Sequence, residues 1–250
     1  MECKNCGNNF EGNFCNLCGQ NSKVERLNFS SIVNEISDSI FQVNRGFFFT
    51  FKELSVRPGH AIREFIEGHR KYYFKPLAYA LTLSTVYFVL SSLSGLNTFL
   101  GEIISGFTGA TKENGIDSFS NVLIWFADNY AYTILLLIPV FSISSYLAFL
   151  GKGYNYWENL VLNSYITGHQ AIIYSISLIP SIIWPDFYYT EVFIFLFTIF
   201  YSFWTFRQFF RELKLMETIL RIVFVYLLNF VLINGILFVF SLGSIIVGKV

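Results

Sequence analysis

The chain has 250 residues, of which 54% are apolar, 20% aromatic and only 14% charged. A soluble globular domain has roughly 45–50% apolar and about 25% charged residues, so this composition excludes an ordinary water-soluble fold and indicates a membrane protein. The 17 basic and 17 acidic residues cancel, which argues against a nucleic-acid-binding protein, because such proteins carry excess positive charge. We therefore expect a lipid bilayer, and no nucleic acid, among the partners.

All four cysteines lie in the first 18 residues, in two C-x-x-C pairs that are each followed by glycine. They are Cys3, Cys6, Cys15 and Cys18. Two residues between thiolates allow one tight turn to present both sulfurs to a metal, and four thiolates complete a tetrahedral structural zinc site. The sequence predicts a minimal zinc ribbon over residues 1–22, a short hairpin in which Phe10 or Phe14 covers the metal.

The cysteines have two other interpretations, as two disulfides of a secreted protein or as a redox pair. No signal-peptide pattern precedes them and neither pair lies in a βαβ pattern, so both interpretations are less favoured than zinc. A segment of about 20 residues also cannot fold around a core of its own, whereas a structural zinc site contributes ~10–16 kcal/mol. We expect this module in a reducing, cytoplasmic compartment.

Residues 23–75 are predicted to form amphipathic helices at the membrane interface. Apolar residues at helical spacing predict one helix over 29–43, and the phenylalanines at 47–51 form a cluster too short to span a bilayer. Pro58 and Gly68 are typical of the first turn and the left-handed end of a second helix. Its predicted apolar face consists of Ala61, Ile62, Phe65 and Ile66.

Cations and aromatics alternate from His69 to Pro76, just before the first long apolar run. Clustered cations beside a span attract acidic head groups, which makes Arg70, Lys71 and Lys75 candidate contacts for an anionic lipid. The other interpretation, which we favour, is an orientation and anchoring belt of the kind that multi-span proteins carry.

The amino-terminal third resembles a known family. The resemblance is carried by the double C-x-x-C-G module, the Arg57-Pro58-Gly59 step, the Gly68-His69-Arg70-Lys71-Tyr72 run and Pro76 at the first span. With these features, residues 1 to about 80 resemble a bacterial family of integral membrane proteins classed only as a domain of unknown function, family 3667. The resemblance implies a zinc-ribbon head, an interfacial segment and a helical membrane domain, with no activity or catalytic residue to carry over.

Five apolar segments predict an all-α polytopic membrane domain over residues 76–250. They lie at about 76–95, 130–150, 160–184, 191–209 and 219–247. Each reaches the ~20 residues that a hydrocarbon core of about 30 Å requires. The connection 96–129 is predicted to be the largest external loop, with one short surface helix near residues 116–126.

The distribution of basic residues predicts the orientation. With five spans, 15 of the 17 lysines and arginines fall on the side of the zinc module and only Lys112 and Lys249 on the other. Cytoplasmic segments carry such an excess, so we expect the amino terminus inside and the carboxyl terminus outside. The expected location is a bacterial cytoplasmic (inner) membrane.

The third predicted span carries a stripe of polar residues. Asn163, Thr167, Gln170 and Tyr174 share one helix face, while His169 lies off that stripe. Intramembrane polar groups mark ligand pockets or transport paths, and they also bond neighbouring helices. We favour helix–helix bonding, with Asn229 and Asn234 of the last span as candidate partners, because no acidic residue lies deep in any span.

The motifs of the common enzyme classes are absent from the sequence, and the three histidines are widely separated. We therefore expect a non-enzymatic scaffold or adaptor whose cytoplasmic zinc module docks a protein partner. The alternative is a small transporter or lipid-handling protein that uses the polar stripe of the third span as an intramembrane pocket.

Overall fold

The computed structural model describes residues 1–32, 46–113, 117–183 and 190–247. Within these ranges the chain forms nine helices longer than one turn. They are α1 (Gly46–Val56), α2 (Pro58–Glu67), α3 (Pro76–Ser94), α4 (Phe99–Glu113), α5 (Asp117–Asp128), α6 (Tyr130–Ala148), α7 (Tyr156–Ile183), α8 (Thr190–Phe209) and α9 (Leu215–Val247).

Five of these helices, α3 and α6 to α9, are long and apolar enough to cross a membrane. They coincide with the five predicted spans, which confirms the all-α multi-pass fold. The third span begins at Tyr156, four residues before the prediction, because a capping box starts it. The side chain of Asn155 accepts the N–H of Glu158 (2.9 Å), and the Glu158 carboxylate accepts the N–H of Asn155 (2.7 Å).

Helix α7 is the centre of the bundle and packs against α3, α6 and α8, whereas α9 packs against α6. Tyr79 of α3 and Tyr165 of α7 are among the largest fully buried side chains. Gly168 of α7 allows α3 and α7 to approach closely, since a Cβ at this position would lie 2.6 Å from the Tyr79 ring and 3.0 Å from the Cα of Ala80. The outward faces of α8 and α9 are lined by exposed apolar side chains, as lipid contact requires.

The short helix predicted between Pro58 and Gly68 is confirmed. Pro58 is its first residue, and Gly68 ends it in the left-handed conformation, at φ 115°. All four residues of the predicted apolar face are buried. The helix packs against the end of α8, where Gly59 lies so close to the backbone that a Cβ would be 2.3 Å from the Phe209 nitrogen.

Two predictions before and after the first span have different outcomes. The segment 96–129 is more ordered than predicted: α5 matches the surface helix, but α4 occupies residues expected to form a loop. The helix predicted over 29–43 has its first turn at 29–32, and its remainder lies outside the described residues. In α1 the Phe47 ring packs on Phe74 and Tyr79, whereas Phe48 is exposed.

Candidate metal centre and its attachment to the membrane domain

The four cysteines lie in two knuckles that repeat the same backbone hydrogen bonds. In the first, the N–H of Cys3 donates to the Asn8 carbonyl (2.9 Å) and the N–H of Gly7 to the Cys3 carbonyl (2.8 Å). In the second, residues 15–20 make the same two bonds, both at 2.8 Å. The module is therefore a pair of knuckles and not the single hairpin predicted from the sequence.

The sulfur atoms of the two knuckles converge in one cluster, in which all four lie within 4.8 Å of one another. The Cys3 and Cys18 sulfurs are 3.6 Å apart, as are those of Cys6 and Cys15. A tetrahedral zinc with Zn–S bonds of about 2.3 Å separates its sulfurs by ~3.8 Å, whereas a disulfide bond is about 2.05 Å long. The cluster has the dimensions of a four-thiolate metal site.

The thiols differ in how readily they lose a proton. The backbone N–H of Cys18, opposed by desolvation and helped by the N–H of Leu17, lowers the pKa of Cys15 to about 6. At Cys6 the N–H of Asn8 acts in the same direction, but desolvation and the neighbouring sulfurs raise the pKa to about 12. All four thiols can therefore ionise together only if a cation offsets their negative charge.

Of the two phenylalanines predicted to cover the metal, only Phe10 packs against the cysteine cluster. Phe10 is 6% exposed and packs in one cluster with Cys3 and Cys15. Phe14 instead is 62% exposed, and Leu17, between the second pair of cysteines, is 71% exposed. The module shields its sulfurs on one side and presents large apolar side chains elsewhere.

The module is attached to the turn between α2 and α3 through Gln20, which is buried. Its amide donates to the Gly68 carbonyl (2.9 Å), and its side-chain oxygen accepts the N–H groups of Arg70 and Lys71, both at 3.2 Å. The side chain of Lys4 lies against Gly68, where a Cβ would come within 3.0 Å of it. The second knuckle therefore satisfies the polar backbone of the turn that precedes the first span.

Two of the three predicted lipid-contact residues take part in this attachment. The Lys71 ammonium donates to the Gly19 carbonyl (3.1 Å). The Arg70 guanidinium donates to the carbonyls of Phe65 and Glu25, both at 3.1 Å. Arg70 and Lys71 thus join the module to the membrane domain, while the lipid contact of Arg70, Lys71 and Lys75 stays a prediction.

The segment that follows the module, residues 23–32, contacts the start of α7, and we call it the strap. Arg26 makes a two-pronged ion pair with Glu158, at 2.7 and 2.8 Å, and also donates to the Gly153 carbonyl (2.7 Å). The amide of Asn155 donates to the Leu27 carbonyl (3.1 Å), and the Leu27 side chain is buried. Sequence reasoning missed this contact, although the Asn155-x-x-Glu158 spacing is a recognisable helix start.

The polar stripe of the third span bonds neighbouring helices. The Asn163 amide donates to the Ser145 hydroxyl of α6 (2.8 Å), and the Gln170 amide donates to the Ser202 hydroxyl of α8 (2.9 Å). Tyr174 lies 3.4 Å from the Thr198 hydroxyl, also on α8. Thr167 is buried on the same helix. These contacts favour the structural interpretation of the stripe.

Other polar residues of the spans take different partners from those expected. His169 lies off the stripe, as predicted, and contacts the Tyr79 hydroxyl (3.1 Å) and the Ser55 hydroxyl (3.3 Å) while stacking on Tyr201. Asn234 donates to the Phe230 carbonyl of its own helix, and the side-chain oxygen of Asn229 is buried with no hydrogen-bond partner among the described residues. In the described part of the chain, the hydrogen bonds of the stripe go to α6 and α8 and not to Asn229 or Asn234.

Part of the chain is similar to a known protein family. A comparison with curated proteins and one with solved structures gave no match. A family model described as "Protein of unknown function (DUF3667)" matches residues 44–88, which comprise α1, α2 and the first part of α3. The match begins after the cysteine module and includes the turn to which the module is attached. The predicted resemblance is thus confirmed for residues 44–88, over which the chain is similar to this family of unknown function.

Proposed function

We propose that this integral membrane protein is a non-enzymatic scaffold whose amino-terminal module binds structural zinc and docks a protein partner. The single observation that carries the proposal is that one side of the second knuckle is buried against the membrane domain while another side is exposed. Gln20 faces the membrane domain and is buried, whereas Phe14 and Leu17 are largely exposed. Adjacent exposed apolar side chains on a small polar module are typical of a protein-binding surface.

Zinc is proposed because four thiolates at these distances suit it better than a hard cation such as Mg²⁺ or Ca²⁺, which takes oxygen ligands. All four ligands come from the protein, which leaves no open position for a substrate. Such closed sites are structural. The role of the metal would be to hold the two knuckles together and so fix the surface that Phe14 and Leu17 form.

The docking proposal is tested with the full chain, affinity-purified from native membranes. Replacing Phe14 and Leu17 together with serine should leave bound zinc and membrane insertion unchanged but remove a co-purifying cytoplasmic protein. Glu11→Ser, at an exposed polar position of the same module, is the matched control and should keep that protein. An identical set of co-purifying proteins for both variants would refute the docking surface.

The proposed orientation, with the module in the cytoplasm, rests on the excess of basic residues on the module's side. It is tested by labelling intact cells with a membrane-impermeant maleimide. Ser105→Cys on α4 should be labelled from outside, whereas Lys214→Cys in the α8–α9 turn should react only after the membrane is opened. The opposite labelling pattern would reverse the orientation and remove the cytoplasmic partner from the proposal.

A further inference from the structure

A cleft of about 540 Å³ lies beside the module, outside the metal centre. It is bounded by the second half of α2, by the connection between α6 and α7, and by the turn between α8 and α9. Because the spans alternate in direction, these three segments lie at the same end of the bundle as the cysteine module. The cleft therefore opens near the membrane surface, and its volume is within the range of small-molecule sites.

Three basic side chains line the cleft: Arg63, Lys152 and Arg211. Arg63 is only 7% exposed. One nitrogen of its guanidinium donates to the carbonyls of Gln208 and Phe209 at the end of α8, and the other lies 2.6 Å from the His60 ring. Arg63 is thus held rigidly in the wall by α8 and by its own helix.

Arg211 is exposed and lies close enough to Arg63 for their charges to interact. Desolvation first and the charge of Arg211 second lower the pKa of Arg63. Desolvation followed by the charges of Arg63 and Arg211 lowers the pKa of His60 in the same way. Among the described residues neither arginine makes an ion pair with a carboxylate, whereas Lys152 is paired with Glu217 at 2.9 Å.

Two carboxylates, Glu67 and Glu212, line the same cleft and are exposed. A simple anion would be attracted by the arginines and repelled by these carboxylates. A ligand that carries both signs would satisfy both groups: arginine recognises a phosphate through two-pronged hydrogen bonds, and a carboxylate pairs with an ammonium group. The aromatic side chains of Tyr154 and Phe210 provide an apolar wall for the carbon chain between them.

We propose that this cleft binds a phosphate ester that also carries an ammonium group, with Arg63 and Arg211 on the phosphate and Glu67 and Glu212 on the amine. Phosphoethanolamine is such a group, either free or as the head group of a phospholipid. The site is distinct from the proposed docking surface at Phe14 and Leu17, and the two can fail separately.

The test uses the full-length protein in a phosphate-free nonionic detergent and follows its melting temperature with added probes. At equal concentration and ionic strength, phosphoethanolamine should raise the melting temperature more than inorganic phosphate or ethanolamine, since bound ligand stabilises the folded state. A further probe, dihexanoyl phosphatidylethanolamine below its micelle concentration, shows whether the ligand is a phospholipid or free phosphoethanolamine. Tighter binding of the lipid than of phosphoethanolamine assigns the site to a membrane lipid, and equal binding assigns it to the free metabolite.

Arg211→Gln should weaken phosphoethanolamine binding by about ten-fold or more, because it removes a charge-assisted hydrogen bond. Arg211 is exposed and bonds no described side chain, so the variant should melt like the wild type without ligand; Arg211→Lys is the second variant and should bind at an intermediate level. Lys214→Gln, in the same turn but outside the cleft lining, is the matched control. No shift in the wild type, a shift of equal size with inorganic phosphate, or unchanged binding by Arg211→Gln would overturn the proposal.

Discussion

The cysteine module and the membrane domain are stabilised by different means. In the module the only described buried apolar cluster is Cys3, Phe10 and Cys15, whereas the membrane domain buries one continuous cluster that extends from α2 through α3, α6, α7 and α8. With the proposed zinc bound, the stability of the module would come mainly from four bonds to one ion. In the membrane domain, packing distributes stability over many side chains. Loss of the metal should therefore unfold the module in a single step, whereas each substitution in the membrane domain should lower its stability by a smaller amount.

The largest effect is expected where stability is concentrated. Replacing Cys3 and Cys15 together with serine should abolish metal binding and unfold the module, since a structural zinc site contributes ~10–16 kcal/mol. Elemental analysis would measure the metal, and limited proteolysis the exposure of residues 1–22. Asn5→Ser, between the first two cysteines, is the control and should retain the metal. Loss of the helical domain along with the metal would show that the two regions are not separate in stability.

In the membrane domain the strongest single effect should come from Gly59. Gly59→Ala places a Cβ 2.3 Å from the Phe209 nitrogen and 2.6 Å from the Thr205 carbonyl oxygen, and backbone atoms cannot move aside cheaply. We expect a loss of about 2–3 kcal/mol in the free energy of unfolding, the upper part of the usual range for overpacking, measured by thermal unfolding in detergent. Gly235→Ala adds its Cβ to open space and should change little. Equal effects would contradict the close α2–α8 contact.

The strap between the regions should have an intermediate effect. The Glu158 side chain is 4% exposed and makes both the Arg26 ion pair and the cap of α7. Glu158→Gln should therefore lower the free energy of unfolding by about 1–2 kcal/mol. The loss is no larger because the Arg26 side chain is 62% exposed, so that water screens the ion pair. Hydrogen exchange should rise in residues 23–32. As a comparison, the Glu217 side chain is 39% exposed, against 4% for Glu158, so Glu217→Gln should cost less than Glu158→Gln because water screens its ion pairs.

The smallest effect is expected at the attachment of the module. Gln20→Ala removes three hydrogen bonds to the Gly68–Lys71 turn. The turn can bond to water once the module moves away, so the loss should be about 1 kcal/mol and confined to this contact. Faster hydrogen exchange at Arg70 and Lys71, with bound metal unchanged, is the expected result. If the melting temperature of the whole protein falls as far as in Gly59→Ala, the module is part of the membrane domain's core.

Local features of the fold could be predicted because each depends on neighbours in sequence. The ends of α2 follow from the backbone of Pro58 and the left-handed Gly68, and the spans follow from runs of apolar residues. The C-x-x-C spacing alone indicated that the four cysteines form one cluster. Helix α4 was missed because its residues are rich in glycine and threonine, which are weak helix formers, and its polar character resembles that of a loop.

Contacts between distant parts of the chain could not be predicted in the same way. Arg70 and Lys71 have the composition of a lipid-binding run, yet they bond to Gln20, Gly19 and their surroundings. The stripe residue Asn163 bonds to Ser145 of α6, and not to the last span as expected, since a single helix face does not reveal which helix covers it. The two arginines of the cleft are 148 residues apart in sequence and have no shared motif.

The ion pair between Arg26 and Glu158 has a consequence for the order of assembly. During synthesis the cysteine module and the turn at Gly68 emerge before any span, so that Gln20 can reach its partners early. Glu158 emerges 132 residues after Arg26, when two spans have already been made. The strap can therefore close only once the third span has begun, and its formation marks the point at which the first part of the bundle is in place.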